Sequence, residues 1–572
     1  MRKEEKKMNL PKKFNKTAPL IIIGSILLSG CSYSSISKSQ RALRYASVIG
    51  EVRKEKTVEK LNNKEKTKVE KASAKKEVPL RNNDPILINA AEPKNITYSL
   101  FLNDKEVKEY NAKDFPLFSD KYSDIEGVLT FRGNNLRNSP SFGIVNVKQN
   151  ELKEGWSRDT STSSWGGGAG WTGQPSIIKW QEDVKQIMNI KEEYRNKKDF
   201  VEVVYASLDG KVYFLDLETG KSTREAINIH NPIKGSVSLD PRGYPLLYVG
   251  QGIPESGKIG YRIFSLLDGK ELYFINGIDP IAFRGWGAFD SAPVIDKEKD
   301  RMLLCGENGL FYNIKLNTKF DKKKKKITIN PQVLKYRYKI QENSYQGIEN
   351  SIAIHKNLGY FADNGGIIQC LNLQNMKPVW IFDNKDDTDA TITIEVEGGT
   401  PYIYTANEVD KQGDKGKAYL RKIHGITGKL IFEKSYDAMS LLGEHPVNGG
   451  VLATSIIGKK GIKNLVIFNV ARYKKFNSGL MVALDKRTGE EVWRLEMPNY
   501  CWSSPVDVYN EEGKGYILQG DSIGNLYLIE GKTGKILNNI NLGTNIESSP
   551  AVFNSALVVA TRGGKIFRVS IS

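Results

Sequence analysis

The sequence contains little of what metal centres and catalytic sites are commonly built from. Its 572 residues include only four cysteines and four histidines, and none of them stands at zinc-site spacing. It also has no phosphate-binding glycine loop and no Ser-His-Asp spacing. Catalysis and metal binding therefore have no support from motifs, and Cys305, Cys370 and Cys501 are predicted to be small buried side chains.

The sequence also lacks an apolar run long enough to cross a bilayer. The apolar stretch at residues 19–30, PLIIIGSILLSG, follows a basic start and ends in small residues before Cys31. The segment Leu-Ser-Gly-Cys ending at Cys31 resembles the bacterial lipobox. This resemblance implies a signal peptide over residues 1–30 and a mature lipoprotein anchored in the membrane through an acylated (palmitate-bearing) Cys31. The alternative is an uncleaved signal anchor.

The positive charge is unevenly spread along the chain. Of the net charge of +18, residues 1–31 carry +5 and residues 32–95 carry +7, which leaves +6 for the remaining 477 residues. A nucleic-acid partner is therefore not expected, because the long remainder is weakly charged. Residues 31–95 are rich in lysine and glutamate and poor in aromatics, so beyond the lipidated cysteine they are predicted to be a disordered basic tether.

One hairpin motif recurs at long intervals. In LMVALDKRTGEEVWRLEM, residues 480–497, an apolar strand, a glycine-containing turn and a second strand closed by Trp493 follow one another. Copies stand at residues 214–221, 422–432 and 528–537, and a copy at residues 370–380 has lost the glycine. A hairpin unit at long, regular spacing predicts a repeat architecture.

The number of repeats predicts the fold. Eight short segments of small and polar residues open a strand pair, and from Pro175 to Pro550 they are spaced about 54 residues apart, which suits a four-stranded blade. We therefore predict an all-β, eight-bladed β-propeller of four-stranded antiparallel blades over residues 125–572. The alternative is seven blades, because the fifth and sixth repeats are the least regular. The openings are at residues 173–178, 235–240, 290–295, 349–354, 390–395, 448–453, 503–508 and 548–553.

The two ends of the propeller are predicted to meet. The last repeat is one strand short, and residues 151–159 resemble the outer strand of a repeat. This segment is expected to complete the last blade and close the ring, which hides exposed sheet edges. Before the propeller, residues 96–124 are predicted to form a β-hairpin, turning at Asn103-Asp104, and an extended lead-in.

The repeat resembles the pyrroloquinoline-quinone-type propeller repeat, and residues 129–143, LTFRGNNLRNSPSFG, are similar to the Phe-Arg-Gly segment that often precedes such propellers. This family includes quinone-dependent dehydrogenases, the propeller lipoprotein of the outer-membrane β-barrel assembly machine and surface lipoproteins of low-GC bacteria, which the whole sequence resembles most. The resemblance implies a quinoprotein-like fold. The quinone enzymes place their cofactor beneath a disulfide between adjacent cysteines, a pair this sequence lacks, so no cofactor and no enzymatic activity are expected.

The starts of the inner strands of a propeller line its channel and one face. Aromatic, charged and amide side chains gathered there suit a sugar, peptide or planar ligand. The alternative is that the tryptophans plug the channel. The candidate axial binding face consists of Trp165, Trp171, Arg284, Trp286, Asp290, Glu349, Asn350, Glu444, His445, Trp502 and Glu547.

These features predict a membrane-anchored, extracytoplasmic lipoprotein whose propeller is a monomeric, non-catalytic binding or scaffold module. Its expected partners are the lipid bilayer and an envelope protein or glycan. The expected location is the cell surface of a single-membrane bacterium, or the periplasm or outer membrane if there are two membranes. A barrel-assembly lipoprotein is the first alternative, and a quinone-dependent dehydrogenase is the second.

Overall fold

The structure is a computed structural model that describes residues 84–88, 91–111, 114–118, 121–170, 173–341, 343 and 345–572. The predicted signal peptide, the lipidated Cys31, nearly all of the tether and Trp171 lie outside the described residues.

Eight four-stranded antiparallel sheets follow one another along the chain as the blades of a β-propeller. The predicted fold is therefore confirmed, and the seven-blade alternative is wrong. Each blade runs from the axis outward, and in blades 2 and 7, for example, the first strand is fully buried whereas the fourth strand is largely exposed or half-buried. In order, the blades are Ser176–Lys179, Val201–Ala206, Lys211–Asp216 and Ile227–Asn228; Ser238–Leu239, Leu246–Gly250, Gly260–Ser265 and Glu271–Asn276; Val294–Asp296, Arg301–Cys305, Leu310–Lys315 and Gln332–Ile340; Ala353–His355, Leu358–Ala362, Ile367–Asn372 and Lys377–Asp383; Thr393–Glu397, Thr400–Ala406, Gly416–His424 and Leu430–Ala438; Ile456–Ile457, Leu465–Ala471, Gly479–Asp485 and Glu491–Met497; Val506–Tyr509, Gly515–Gly520, Asn525–Glu530 and Ile536–Asn541; and Ala551–Phe553, Ala556–Thr561, Lys565–Ile571 and Leu152–Asp159.

The ring closes through a strand from its N-terminal side. Leu152–Asp159 pairs antiparallel with Lys565–Ile571 and becomes the outer strand of blade 8, as the sequence predicted. Shorter elements add to the blades or lie between them. They are Ile96–Leu102 and Lys105–Val107 on the outer edge of blade 3, Gly127–Val128, Ser141–Phe142, Glu408–Val409 and Gly449–Gly450, the hairpins Thr162–Ser163 with Gly166–Gly167 and Lys319–Asp321 with Lys326–Thr328, the α-helices Glu182–Lys185 and Glu192–Arg195, and the 3-10 helices Gly413–Lys415 and Lys460–Ile462.

The sixth blade departs from the predicted pattern at its opening. The predicted start at residues 448–453 precedes the first strand, which is Ile456–Ile457. Instead, Gly449–Gly450 pairs with Glu408–Val409, the loop strand that follows blade 5's second strand. The cysteine prediction is confirmed, because Cys305, Cys370 and Cys501 are buried and free.

The repeated glycine and tryptophan join neighbouring blades. Trp493 of blade 6 donates from Nε1 to the Gly531 carbonyl at 3.1 Å, and its ring covers Gly534 in the turn of blade 7. Trp380 meets Gly428 of blade 5 in the same way, and Trp156 on the closing strand meets Gly220 of blade 1. Each turn glycine is therefore needed twice, for its positive φ and for the space that the indole occupies.

Replacing Gly534 with alanine tests this contact. Its φ is +74°, and an added Cβ would stand 2.5 Å from Trp493 Cε3. We expect a loss of about 2–4 kcal/mol in the free energy of unfolding, from backbone strain and overpacking together. The matched control is Gly269, with φ +75° and nothing within 4 Å of an added Cβ, where strain alone costs about 1 kcal/mol. Equal losses in chemical denaturation of the two variants would contradict docking by the indole.

The small hydroxyl residues of the blade openings form a second set of links. A backbone N–H at the start of one blade donates to a serine or threonine Oγ at the start of the next. This explains why the openings are rich in serine and threonine. The bonds are Gln174 to Ser236 (2.9 Å), Ala292 to Ser351 (2.8 Å), Ser351 to Thr391 (3.0 Å), Thr391 to Thr454 (3.2 Å), Thr454 to Ser504 (3.0 Å) and Ser504 to Ser549 (3.3 Å).

The Phe-Arg-Gly segment fills the centre of the ring. Residues 127–142, here called the hub segment, contact the first strand, or the residues leading into it, in all eight blades, and these surround the axis. The contacts, in blade order, are Val128 paired with Ile177, Leu239 N to Leu129 O (2.7 Å), Thr130 Oγ1 to Pro293 O (2.9 Å), Ile354 N to Asn135 O (2.7 Å), Ile394 N to Leu136 O (2.9 Å), Arg132 Nη2 to Ser455 O (3.0 Å), Ser141 Oγ to Asp507 O (2.7 Å) and Ser141 paired with Val552.

The meander gives the ring two faces. Connections between first and second strands, and between third and fourth strands, lie at the same end of every antiparallel blade. We call this end the lower face. The other end, the upper face, carries the connections between second and third strands and those that lead to the next blade.

Candidate functional site

Three carboxylates and one lysine meet beside the axis on the upper face. Lys234, Asp290 and Glu349 each precede the first strand of their blade, and Glu307 lies in the turn between the second and third strands of blade 3. One oxygen of each carboxylate lies within 4.8 Å of the other two. All four residues are at most 4 % exposed. We call them the acidic cluster.

The acidic cluster holds more negative than positive charge. Lys234 Nζ forms an ion pair with Asp290 and lies 3.9 Å from Glu349 Oε2. Burial opposes its charge, but the three carboxylates outweigh burial and raise the pKa of Lys234. Burial and neighbouring carboxylates raise the pKa of Glu307 well above its usual range, and burial above all raises that of Asp290 to about 6. Lys234 is thus the one ammonium inside a cluster of three carboxyl groups, and the Arg284 guanidinium above it also opposes the rise in the pKa of Glu307.

Two residues of the predicted binding face connect this cluster with the upper surface. Trp286 donates from Nε1 to Glu307 Oε2 at 2.7 Å. Arg284 donates to Asn364 Oδ1 at 2.6 Å, and Asn364 in turn donates to Glu349 Oε1 at 3.0 Å. Arg284 and Trp286 are both half-buried, so a molecule on the upper face can reach them.

Further acidic residues extend the cluster towards blade 5. Asp387 accepts from Asn364 Nδ2 at 3.3 Å, and Glu408 Oε2 accepts from Asn448 at 3.0 Å. Burial is the main cause that raises the pKa of Asp387 well above its usual value and that of Glu408 to about 8. The upper face therefore presents a carboxyl-rich half on blades 3 to 5.

Aromatic and paired side chains occupy the other half of the upper face. Trp502 is buried, 5.4 Å from the Tyr500 ring, and Arg472 lies over both rings. Near blade 8, the half-buried Trp165 accepts from Arg562 through its carbonyl at 2.7 Å. Glu547 is paired with Arg562 at 3.6 Å, and burial raises its pKa.

The residues of the predicted binding face lie in different surroundings and do not form one continuous surface. Asn350 is buried and bonds the Ala362 and Thr388 carbonyls, so it holds loops together rather than facing a ligand. Glu444 and His445 lie on an exposed loop closed by the bridge between Leu441 and Val447. Asp290 and Glu349 come together, although nothing in their spacing predicted it.

Lys234 and Glu307 were missed by sequence reasoning. Glu307 belongs to an Asn-Gly turn motif and Lys234 to a strand opening, positions whose residue types follow from the fold alone. They meet Asp290 and Glu349 only because adjacent blades converge at the axis. The signal that could have found them is the charged residue at a strand opening, where small and polar residues are the rule.

A small cavity lies on the axis between the hub segment and the upper face. Its lining includes Phe131, Glu349, Asp389 and Leu452, together with hydroxyl residues of the openings, and the volume open to the centre of a water molecule is about 10 Å³. One water molecule fits this space. Beneath this cavity the channel is closed by the hub segment rather than by tryptophans, which the alternative interpretation of the sequence had placed there.

The size of the cavity tests whether a quinone could bind on the axis, as in the dehydrogenases whose repeat the sequence resembles. A planar, multi-ring quinone is many times larger than this space, and the sequence has no adjacent cysteine pair to cover it. The axial residues therefore do not fit that cofactor. The three carboxylates are chemically suited to a divalent cation, but the Lys234 ammonium already stands among them.

Comparison with known proteins supports the repeat predicted from the sequence. Residues 477–572 match the family model described as Outer membrane protein assembly factor BamB. Residues 477–572 thus carry a repeat of the pyrroloquinoline-quinone type. The quinohemoprotein alcohol dehydrogenase of Comamonas testosteroni, at 12 % identity and TM-score 0.52, covers 78 % of this chain and 80 % of its own. The corresponding enzyme ADHIIG of Pseudomonas putida HK5, at 11 % identity and TM-score 0.51, has the same coverage. These likenesses show the fold.

A third solved structure, BamB from Moraxella catarrhalis, is 17 % identical, with TM-score 0.44 and coverage of 69 % of this chain and 98 % of its own. No curated protein sequence matches this chain. In the part of the chain that the structure describes, no helix is long and apolar enough to cross a membrane.

Proposed function

We propose that this protein is a membrane-anchored, extracytoplasmic lipoprotein whose propeller binds an envelope partner without catalysis. The upper face is the proposed binding surface. The observation that carries this proposal is the carboxyl-rich half of the upper face, where Arg284 and Trp286 reach the surface from a buried acidic cluster. The lipobox-like segment at Cys31 supports the anchoring.

The chemistry of the upper face favours a polar partner such as a protein or a glycan. The half-buried Arg284 offers guanidinium donors and the half-buried Trp286 offers an aromatic surface, whereas the carboxylates of the acidic cluster lie buried beneath them. An aromatic surface beside a few placed polar groups suits a sugar or a peptide. The cavity beneath holds no more than one water molecule, so a macromolecular partner would bind across the face rather than enter the ring.

Affinity capture tests the binding role. The full chain, immobilised, would be exposed to the host's envelope extract, and the bound proteins and glycans identified by mass spectrometry. The test variant carries Arg284→Gln and Trp286→Phe, and the control carries Lys153→Gln and Arg158→Gln, two exposed residues on the outer strand of blade 8. We expect a partner that the control retains and the test variant loses. Capture that is the same for both variants would refute the upper face as the binding surface.

Assembly of outer-membrane β-barrels is a second candidate function, favoured by the match of residues 477–572 to the BamB family model. In a two-membrane host, a barrel-assembly protein would then be captured together with the full chain. If the host has no barrel-assembly machine, this second function is excluded and the binding of another envelope partner remains the proposal.

A further inference from the structure

A lysine-rich hairpin projects from the lower face. Lys319–Asp321 and Lys326–Thr328 form a two-stranded hairpin inserted between the third and fourth strands of blade 3. All five residues from Lys322 to Lys326 are exposed. Within the described part of the chain, only Lys322 and Lys324 of these five have acidic partners, Asp183 and, at 3.9 Å, Asp321.

The hairpin is held against the body of the propeller. The ring of Phe320 lies 5.1 Å from that of Tyr244 in blade 2, and Thr318 donates both its N–H and its hydroxyl to Asp300. Its lysines are therefore presented at a fixed place on the lower face rather than on a free loop.

The hairpin is part of a face-wide difference in charge. The lower connections hold 27 lysines and arginines against 15 acidic residues, and the upper ones hold 10 against 16. The counted lower connections are residues 180–200, 217–226, 240–245, 266–270, 297–300, 316–331, 356–357, 373–376, 398–399, 425–429, 458–464, 486–490, 510–514, 531–535 and 554–555. The counted upper ones are residues 160–170, 173–175, 207–210, 229–237, 251–259, 277–293, 306–309, 341, 343, 345–352, 363–366, 384–392, 407–415, 439–455, 472–478, 498–505, 521–524, 542–550 and 562–564.

The chain also joins the propeller at its lower face. The backbone N–H of Ile86 donates to Asn357 Oδ1 at 2.7 Å, and Asn357 Nδ2 donates back to the Ile86 carbonyl at 3.2 Å. Asn357 lies between the first and second strands of blade 4. The segment that leads from the predicted anchor thus reaches the propeller on the basic side, next to the blade that bears the hairpin.

We propose that the lower face, led by this hairpin, binds the surface of an anionic phospholipid bilayer. Each lysine near such a surface contributes favourably to binding, and the contributions of several lysines combine. Exposed lysines also lie on the lower turns of other blades: Lys429, Lys460, Lys463, Lys532 and Lys535. A flat surface can contact lysines on several blades at once, whereas a linear polyanion would follow one groove. The bilayer therefore fits the observed distribution better.

Vesicle co-sedimentation tests this proposal. The full chain would carry Cys31→Ser so that no acyl chain contributes, and the vesicles would be phosphatidylcholine alone or with about one third phosphatidylglycerol. The hairpin variant replaces Lys323, Lys324 and Lys325 with glutamine. The matched control replaces three exposed lysines of the upper face, Lys415, Lys474 and Lys475.

We expect the Cys31→Ser chain with all its lysines to bind the anionic vesicles and to lose this binding in high salt. The hairpin variant should bind on the order of tenfold more weakly or worse, since each lysine is worth severalfold in affinity, and the control should change by less than about twofold. Chemical denaturation would show that both variants remain folded.

Three outcomes would overturn the proposal: equal weakening in both variants, undiminished binding by the hairpin variant, or equal binding to neutral vesicles. Hairpin-dependent binding to soluble polyphosphate without binding to vesicles would also reject the bilayer and assign the face to an anionic polymer. The capture experiment on the upper face uses other residues, so the two proposals can fail separately.

Discussion

Replacing Lys234 with methionine is expected to lower the free energy of unfolding by about 3–5 kcal/mol at pH 8. Lys234 is 4 % exposed and is the ammonium among Asp290, Glu307 and Glu349. Methionine fills a similar volume but leaves the buried carboxylates without a counter-charge. Urea denaturation of the full chain measures the difference.

The pH dependence separates the loss of charge from a loss of packing. Burial raises the folded-state pKa of Asp290 to about 6, and burial with the neighbouring carboxylates raises that of Glu307 well above its usual value. Stability linked to such groups is fully present below their unfolded pKa near 4 and is lost as the pH rises through the folded pKa. Removing the Lys234 ammonium would raise the folded-state pKa values of both Asp290 and Glu307 further. The free energy of unfolding of the variant should therefore be close to that of the parent protein near pH 4, and the difference between them should be largest at pH 8.

The control for this prediction is Lys514→Met, which removes an ion pair with Glu530 at 2.8 Å where both side chains are partly exposed. Such surface pairs contribute about 0–1 kcal/mol. A Lys234→Met loss below 1 kcal/mol, or one that is the same at pH 4 and pH 8, would show that the acidic cluster does not depend on its lysine.

Replacing Arg137 with methionine is expected to cost about 3–6 kcal/mol of the free energy of unfolding. Arg137 is fully buried in the hub segment and donates to the carbonyls of Ile352 and Ala292, both at 2.8 Å. It also donates to the Phe131 carbonyl at 2.8 Å. The variant leaves these buried carbonyls without their donor, and each one costs about 1–3 kcal/mol.

Arg487→Met is the matched control, because Arg487 is an exposed residue in the turn of blade 6. It should change stability by less than about 0.5 kcal/mol. If Arg137→Met cost no more than this control in chemical denaturation, the hub segment would not hold the blades together at the axis.

The local rules of the repeat can be predicted from the amino-acid sequence. The glycine turn and the tryptophan of the 480–497 unit are recognised from the need for positive φ and from strand alternation. Recognition of this unit led to the predicted number of blades and to the predicted closing strand at residues 151–159. The lost glycine at residues 370–380 is explained by Met376, which takes the left-handed conformation with φ 57° itself. Local chemistry sets these features, so the sequence alone reveals them.

The centre of the ring was decided by the tertiary structure. Lys234, Asp290, Glu307 and Glu349 span 116 positions in the chain, and no spacing rule connects them until blades 2 to 4 converge. The hub segment has the composition of an ordinary polar loop. Its arginines are nevertheless buried, because residues that lead into the first strands of four blades direct carbonyls at them.

The charge difference between the two faces arises in the same way. Every turn contributes a few ordinary surface charges, and the meander sorts them to opposite ends of the blades. The sequence by itself determined the fold and the repeat, because both follow from local turn and strand chemistry. The tertiary structure alone decided the acidic cluster and the basic lower face, because both depend on which distant turns share one end of the ring.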